Sequence, residues 1–157
     1  VLNVHFHNPP YVNAVDLLSS GSTRPEIIEH LEAELPKYGL VPFVSTKPNA
    51  GFPFNRMMEA WFREALQIVA DGASSVEQVD GIWMVDTGMP FGPFGMMDQV
   101  GLDVVAEIEK LHRVHNPTLA QWLSVETLEP YIAAGKLGLK SGEGFYRYDP
   151  HGARRTE

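Results

Sequence analysis

Residues 51–72 read GFPFNRMMEAWFREALQIVADG. Phe54, Met57, Met58, Trp61, Phe62, Ala65, Leu66 and Val69 recur at i, i+3, i+4 and i+7 spacing, the apolar stripe of a 3.6-residue period. The spacing predicts a long amphipathic helix that Gly72 closes. A stripe so rich in Met and aromatic residues is core material rather than a cofactor box. The same period governs the chain beyond Gly72. Ser74 with Glu77, or Ser75 with Gln78, has the spacing to cap a second helix, packed by Val79, Ile82 and Trp83. Past the elbow TGMPFGPFG (87–95), Met97, Val100, Val104, Val105, Ile108 and Leu111 predict one further long helix. A shorter helix is expected over about Val125 to Ala134, with Gly135 after it. KLGLKSGEGFYRYD (136–149) reads as a loop running into a short aromatic segment, and the last residues as a frayed tail.

Upstream of Gly51 the period changes. Leu2, Val4 and Phe6 alternate with Asn3, His5 and His7, as in a strand, until Asn8-Pro9-Pro10 stops it. Ala14 to Leu18 reads as a second strand. Thr23 with Glu26 has capping-box spacing, Pro25 suits a first helical turn, and Ile27, Ile28, Leu31 and Leu35 share one helical face. Gly39 ends that helix. Leu40 to Ser45 reads as a third strand, whose Pro42 fits an edge position or a strand start better than a central ladder position. Strand–helix–strand of this length is a βαβ crossover with parallel strands. Three short strands under one helix make a poor free-standing sheet, because edges and one face lack cover. The expected class is therefore α+β: a partial βαβ segment over residues 1–50, an all-helical domain over 51–149 and a tail over 150–157.

Composition narrows the function classes. Of 157 residues, 44 % are hydrophobic and 20 % charged, enough for a core without disulfide or metal staples. There is no Cys, which excludes thiol catalysis and zinc–thiolate sites and is compatible with a reducing cytoplasm. The formal net charge of -8 disfavours nucleic acid. No apolar run is long enough to span a membrane, and no basic-then-apolar leader opens the chain.

His5 is the first candidate for chemistry. It precedes a turn, and the carboxyl end of a strand in an open α/β sheet is where ligands bind. His7, two residues on, shares its strand face, and His-x-His suits a metal. No further ligand cluster accompanies the pair, however. Glu109 and His112 have Glu-x-x-His spacing, with His115 nearby, but a di-metal bundle needs that motif twice. The stretch EKLHRVH reads instead as a solvated helix face, and no metal site is expected. Asn55, in the first turn of the long helix, suits a cap or a substrate carbonyl. Neither glycine-rich stretch has dinucleotide-fingerprint or P-loop spacing, and both are read as structural.

Five segments in order, VHFHNPP, NAVDLL, AGFPFNRMMEAWFREALQIVADGASSVEQVD, GMPFGPFGMMDQVGLD and GKLGLKSGEGFYRY, resemble the 3-hydroxyacyl-CoA dehydrogenase family. They cover nearly all of the chain up to Tyr148. The resemblance implies the last strands of a Rossmann-type NAD domain followed by the family's helical C-terminal domain, without the NAD fingerprint. It implies that His5 is the general base for a 3-hydroxyl, that Asn55 holds the thioester carbonyl, that NAD is the cofactor and 3-hydroxyacyl-CoA the substrate, and that the helical domain makes a homodimer. The family's carboxylate partner, counted from His5, falls on Leu17, and the nearest acid is Asp16. A one-residue deletion in the Pro-Pro-Tyr loop brings Asp16 into place; without it Asp16 faces away. Two other readings stay open: a related dehydrogenase of non-CoA 3-hydroxy or 3-keto acids, and an inactive helical dimerisation module.

Overall fold

A computed structural model describes residues 1–8, 11–45, 47 and 52–155. Pro9, Pro10 and Gly51, which punctuate the sequence, lie outside the described residues. The chain forms two compact units, Val1–Met57 and Met58–Glu157. The division falls inside a helix, a few residues past Gly51.

The first unit is a three-stranded sheet. β1 (Leu2–Asn8), β2 (Val12–Ser19) and β3 (Val41–Ser45) lie in the order β1-β2-β3. β2 and β3 are parallel, joined through α1 (Pro25–Glu34) and a 3-10 turn over Leu35–Tyr38, so the expected crossover is present. β1 and β2 are antiparallel, which makes the sheet mixed. Pro42 sits on β3, an edge strand of this sheet, where a missing N–H is tolerated. Val15 and Leu17 are fully buried and pack with Leu35, flanked by Leu2, Leu31, Leu40 and Val44. The period of two that sends Val15 and Leu17 to this core sends Asp16 to the opposite face. Two details depart from expectation. Ile27 is exposed rather than packed. The capping box does not form either: Arg24 is the N-cap, with no side-chain cap, and the Thr23 hydroxyl donates to the Val1 carbonyl. Pro25 starts the helix one residue later than a Thr23 cap requires.

The second unit is built from α2 (Pro53–Ala70, which begins in the first unit), α3 (Val76–Thr87), α4 (Pro93–Val100), α5 (Leu102–His115) and α6 (Ser124–Ala133). Phe62, Ala65 and Leu66 of α2 enter a core with Phe94, Met97, Leu102, Val105, Ala106 and Leu128. Ser75 caps α3 by accepting from the Gln78 N–H. The single long helix expected through Leu111 is two helices, broken at Gly101, whose φ of 102° no ordinary helix residue adopts. Val104, Leu111 and Ile82 are exposed rather than packed.

Three buried carboxylates tie this unit together. Asp80 accepts from the Phe94 and Gly95 N–H groups at the start of α4 (2.8 and 2.9 Å) and from the Tyr146 hydroxyl (2.9 Å). Asp98 accepts from the N–H groups of Phe145 and Tyr146 (both 2.9 Å) and from the Tyr148 hydroxyl (2.8 Å). The two glycine-rich elbows are shaped by these carboxylates: a Cβ on Gly92 would collide with Asp80, and one on Gly144 with Asp98. Glu109, expected on a solvated face, is instead 2 % exposed; Arg63 donates two hydrogen bonds to it (2.9 and 2.6 Å) and the Ser124 hydroxyl a third. Glu109 is one of several charged residues on α5, and nothing in the local sequence signals that an Arg 46 residues away reaches it. His112 pairs with Glu59 at 3.5 Å. The tail is not frayed through Arg155: Tyr148 bridges Arg154, Arg155 N–H donates to the Arg147 carbonyl, and the Arg154 guanidinium lies 3.3 Å over the Tyr146 ring. The ladder that Tyr146 and Tyr148 anchor on Asp80 and Asp98 carries the tail with it.

Candidate active site

The antiparallel register decides whether His5 has a carboxylate. Leu2 pairs with Ser19, Val4 with Leu17, His5 with Asp16 and Phe6 with Val15, and the register shifts between Phe6 and Asn8 so that Asn8 meets Val12. The irregularity sits beside the hairpin loop. It sets Asp16 opposite His5 on one face, while a one-residue slip would put Leu17 there and turn Asp16 to the opposite face, away from the imidazole.

His7 shares the face and competes for the same oxygen. Asp16 Oδ2 lies 2.9 Å from His7 Nε2 and 3.4 Å from His5 Nδ1. The first is an ordinary hydrogen bond and the second a long one. The imidazole centroids are 4.8 Å apart. Phe52 stacks on the His5 ring (4.3 Å, 15°), and Phe54 meets His7 edge-on at 5.0 Å. Exposure grades the trio: the side chains of His5, His7 and Asp16 are 30 %, 11 % and 5 % exposed. The carboxylate is buried, and the more accessible ring is His5. A neutral His5 that donates from Nδ1 keeps a lone pair on Nε2, the atom that can take a proton.

Asn55 stands in the first turn of α2, half-buried, next to Phe54, whose ring touches His7. The fold therefore brings His5, Asp16 and His7 into one cluster and starts the Asn55 helix beside it. Sequence reasoning missed two things. It counted two metal-type ligands and no third, whereas the fold supplies Asp16, so that one ligand atom from each of the three lies within 4.8 Å of the others. It also read Phe54 as part of the core stripe of the long helix, whereas Phe54 is exposed and its ring meets His7, and it gave no role to Phe52.

Among the described residues no helix is long and apolar enough to cross a membrane.

Residues 51–148 match the family described as 3-hydroxyacyl-CoA dehydrogenase, C-terminal domain. A 3-hydroxyacyl-CoA dehydrogenase-like protein of Cochliobolus heterostrophus is 39 % identical over 148 residues, covering 92 % of this chain and 31 % of its own. The human mitochondrial hydroxyacyl-coenzyme A dehydrogenase is 31 % identical over 153 residues, covering 92 % and 46 %. A solved diketoreductase, described as acting on dicarbonyl compounds, superposes with a TM-score of 0.79 at 34 % identity over 94 % of this chain and 51 % of its own. The chain spans about half, or less, of the length of these relatives.

Proposed function

Because the chain belongs to the 3-hydroxyacyl-CoA dehydrogenase family, we propose that it supplies the base and the helical domain of an NAD-dependent dehydrogenase that converts a 3-hydroxyl to a 3-keto group. The observation that carries this reading is the register: a buried carboxylate directly opposite a half-exposed imidazole. NAD, when bound, supplies the acceptor for the hydride from C3. The donor set fits that division of labour, since an imidazole backed by a carboxylate moves a proton but is no electron sink.

In this reading His5 Nε2 takes the hydroxyl proton, and Asp16 fixes the ring's tautomer from the Nδ1 side and faces the positive charge that forms. The 3.4 Å separation tightens as that charge develops. Asn55 donates its amide N–H to the thioester carbonyl, staying neutral throughout. The substrate in this reading is a 3-hydroxyacyl-CoA, the class that the matched family's name gives. His5→Ala, made in the protein as its source produces it, tests the assignment. Reduction of acetoacetyl-CoA by NADH is expected to fall by about 10²- to 10⁴-fold, with little change in melting temperature. Turnover equal to the parent's would overturn it.

The diketoreductase favours a second reading, in which the substrate is a 3-keto acid without CoA. Comparing kcat/KM for acetoacetyl-CoA and for a free diketo acid separates the two. A homodimer through the helical unit is also proposed, since Ile82 and Val85 on α3 and Leu111 and Val114 on α5 are exposed apolar side chains. Sedimentation as a monomer at high concentration would remove that part. The Cys-free composition supports a reducing compartment such as the cytoplasm, whereas the human relative is named mitochondrial; fractionation of the source cells decides between them.

A further inference from the structure

Two imidazoles and one carboxylate converging on a single point form more than the dyad that proton transfer requires. Asp16 Oδ2 is the hub, 2.9 Å from His7 Nε2 and 3.4 Å from His5 Nδ1. A tetrahedral zinc with Zn–N near 2.0–2.1 Å sets its ligands about 3.3 Å apart. Both distances to Asp16 already lie close to that spacing. The widest separation among the three ligand atoms, at most 4.8 Å, closes by rotation about the soft terminal torsion of histidine.

We propose that His5, His7 and Asp16 form a binding site for a divalent transition cation, Zn²⁺ foremost, with the fourth position open to water. The chemistry of the donor set selects the ion. Neutral imidazole suits zinc, copper and nickel, whereas calcium and magnesium take oxygen ligands. Register and packing preorganise the site. His5 and Asp16 are a directly opposed cross-strand pair, His7 projects from the same strand face, and Phe52 and Phe54 lie against the two rings. The buried carboxylate supplies the negative charge that a dication needs, and the half-exposed His5 edge leaves a route in.

Occupancy has a chemical consequence that rests on the proposed dehydrogenase reading. A metal on His5 Nδ1 displaces the proton there, so the neutral ring carries its proton on Nε2. The atom meant to accept the substrate's proton then has no lone pair. Zinc therefore acts as a reversible inhibitor that competes with the catalytic hydrogen bond for the same atoms, and chelation restores turnover.

The test uses the protein as its source makes it, stripped with a chelator. Co²⁺ is titrated in first, and Zn²⁺ second. One equivalent of Co²⁺ giving the strong visible absorption of a four-coordinate site, displaced by one equivalent of Zn²⁺, is expected. His7→Phe, which keeps an aromatic ring against Phe54, should weaken Zn²⁺ binding by at least about tenfold, since even changes outside the ligand set cost 10- to 100-fold. His7→Gln repeats the measurement if circular dichroism shows the Phe variant misfolded. His151→Gln, in the tail, should bind as the parent does. Absence of stoichiometric binding, or equal affinity in the parent and a folded His7 variant, overturns the site. Inhibition is read apart from binding: Zn²⁺ should slow turnover of the parent and spare His7→Phe. A protein that binds zinc yet turns over at full rate refutes the inhibitory role. One that binds zinc but reduces no acyl-CoA or diketo acid keeps the site and loses the dehydrogenase reading.

Discussion

Four carboxylates are buried among the described residues of this chain, and the two units use them differently. In the helical unit Asp80, Asp98 and Glu109 are each met by at least three donors, backbone N–H groups, hydroxyls or an Arg fork, on well-packed elements. In the sheet unit Asp16 is as well buried, but its hydrogen bonds come from two histidines, one of them 30 % exposed. A saturated carboxylate locks geometry and has nothing left to do. One shared between titratable, partly accessible rings has charge available for a proton or a cation. Burial alone does not separate structural acids from functional ones; the identity of the donors does.

The sharpest attempt to break this contrast is Asp16→Asn. As a positioning residue for His5 it should lower kcat by about 10³- to 10⁴-fold, by analogy with the orienting acid of other acid–His pairs. KM and melting temperature should change little, and Asp16→Glu should recover part of the rate. A loss of stability comparable to that of the helical-unit variants, with kcat preserved, would make Asp16 one more structural acid. Glu109→Ala is the matching experiment on the other side. It strands the Arg63 guanidinium, 11 % exposed, and should cost about 3–5 kcal/mol of unfolding free energy in a denaturant titration. A loss under about 1 kcal/mol, the range of an exposed pair, would show that the fork is dispensable.

Gly144→Ala asks whether the elbow is shaped by Asp98. The added methyl meets the carboxylate and the Gly138 backbone, and overpacking of this kind typically costs about 1–3 kcal/mol. Thermal unfolding reads it, and an unchanged melting temperature would mean that the loop simply moves.

Alkaline pH probes the same network without mutation. Burial, and then the Asp80 and Asp98 carboxylates, push the Tyr146 and Tyr148 phenols above their ordinary value. A phenol with a raised folded pKa binds its proton more tightly in the folded state. Its contribution is full below the unfolded value of about 10 and is lost as pH rises above that. The melting temperature should therefore drop more steeply above about pH 10 in the parent than in Tyr148→Phe, and equal slopes would contradict the assignment. The smallest effect belongs to the surface. Arg113 holds the half-exposed Glu126 carboxyl below its ordinary value through a direct hydrogen bond, yet Glu126→Gln should cost no more than about 1 kcal/mol. A larger loss would move this pair into the company of Arg63–Glu109.

Periodicity made the elements legible. The stripe from Phe54 to Val69 announced α2, the alternation around His5 announced β1, and Pro25 and Gly39 bracketed the crossover helix with its 3-10 turn. These are local signals: a period of 3.6 or 2 is written into neighbouring residues and needs no partner. His5 and Asn55 entered as candidates through local context and resemblance. The long-range partnerships stayed hidden. Whether Asp16 or Leu17 faces His5 depends on the register across a hairpin whose loop length has no independent mark in the sequence, and only pairing resolved it. Glu109 looked solvated until Arg63 reached it from another helix, and the elbows, read as structural, gave no sign that the Asp80 and Asp98 carboxylates pack against their glycines. The sequence by itself determined most of the elements, the two-part organisation of the chain and the family it resembles. The tertiary structure alone decided which charges meet, because a hydrogen bond depends on positions in space and its partners here lie up to 66 residues apart along the chain.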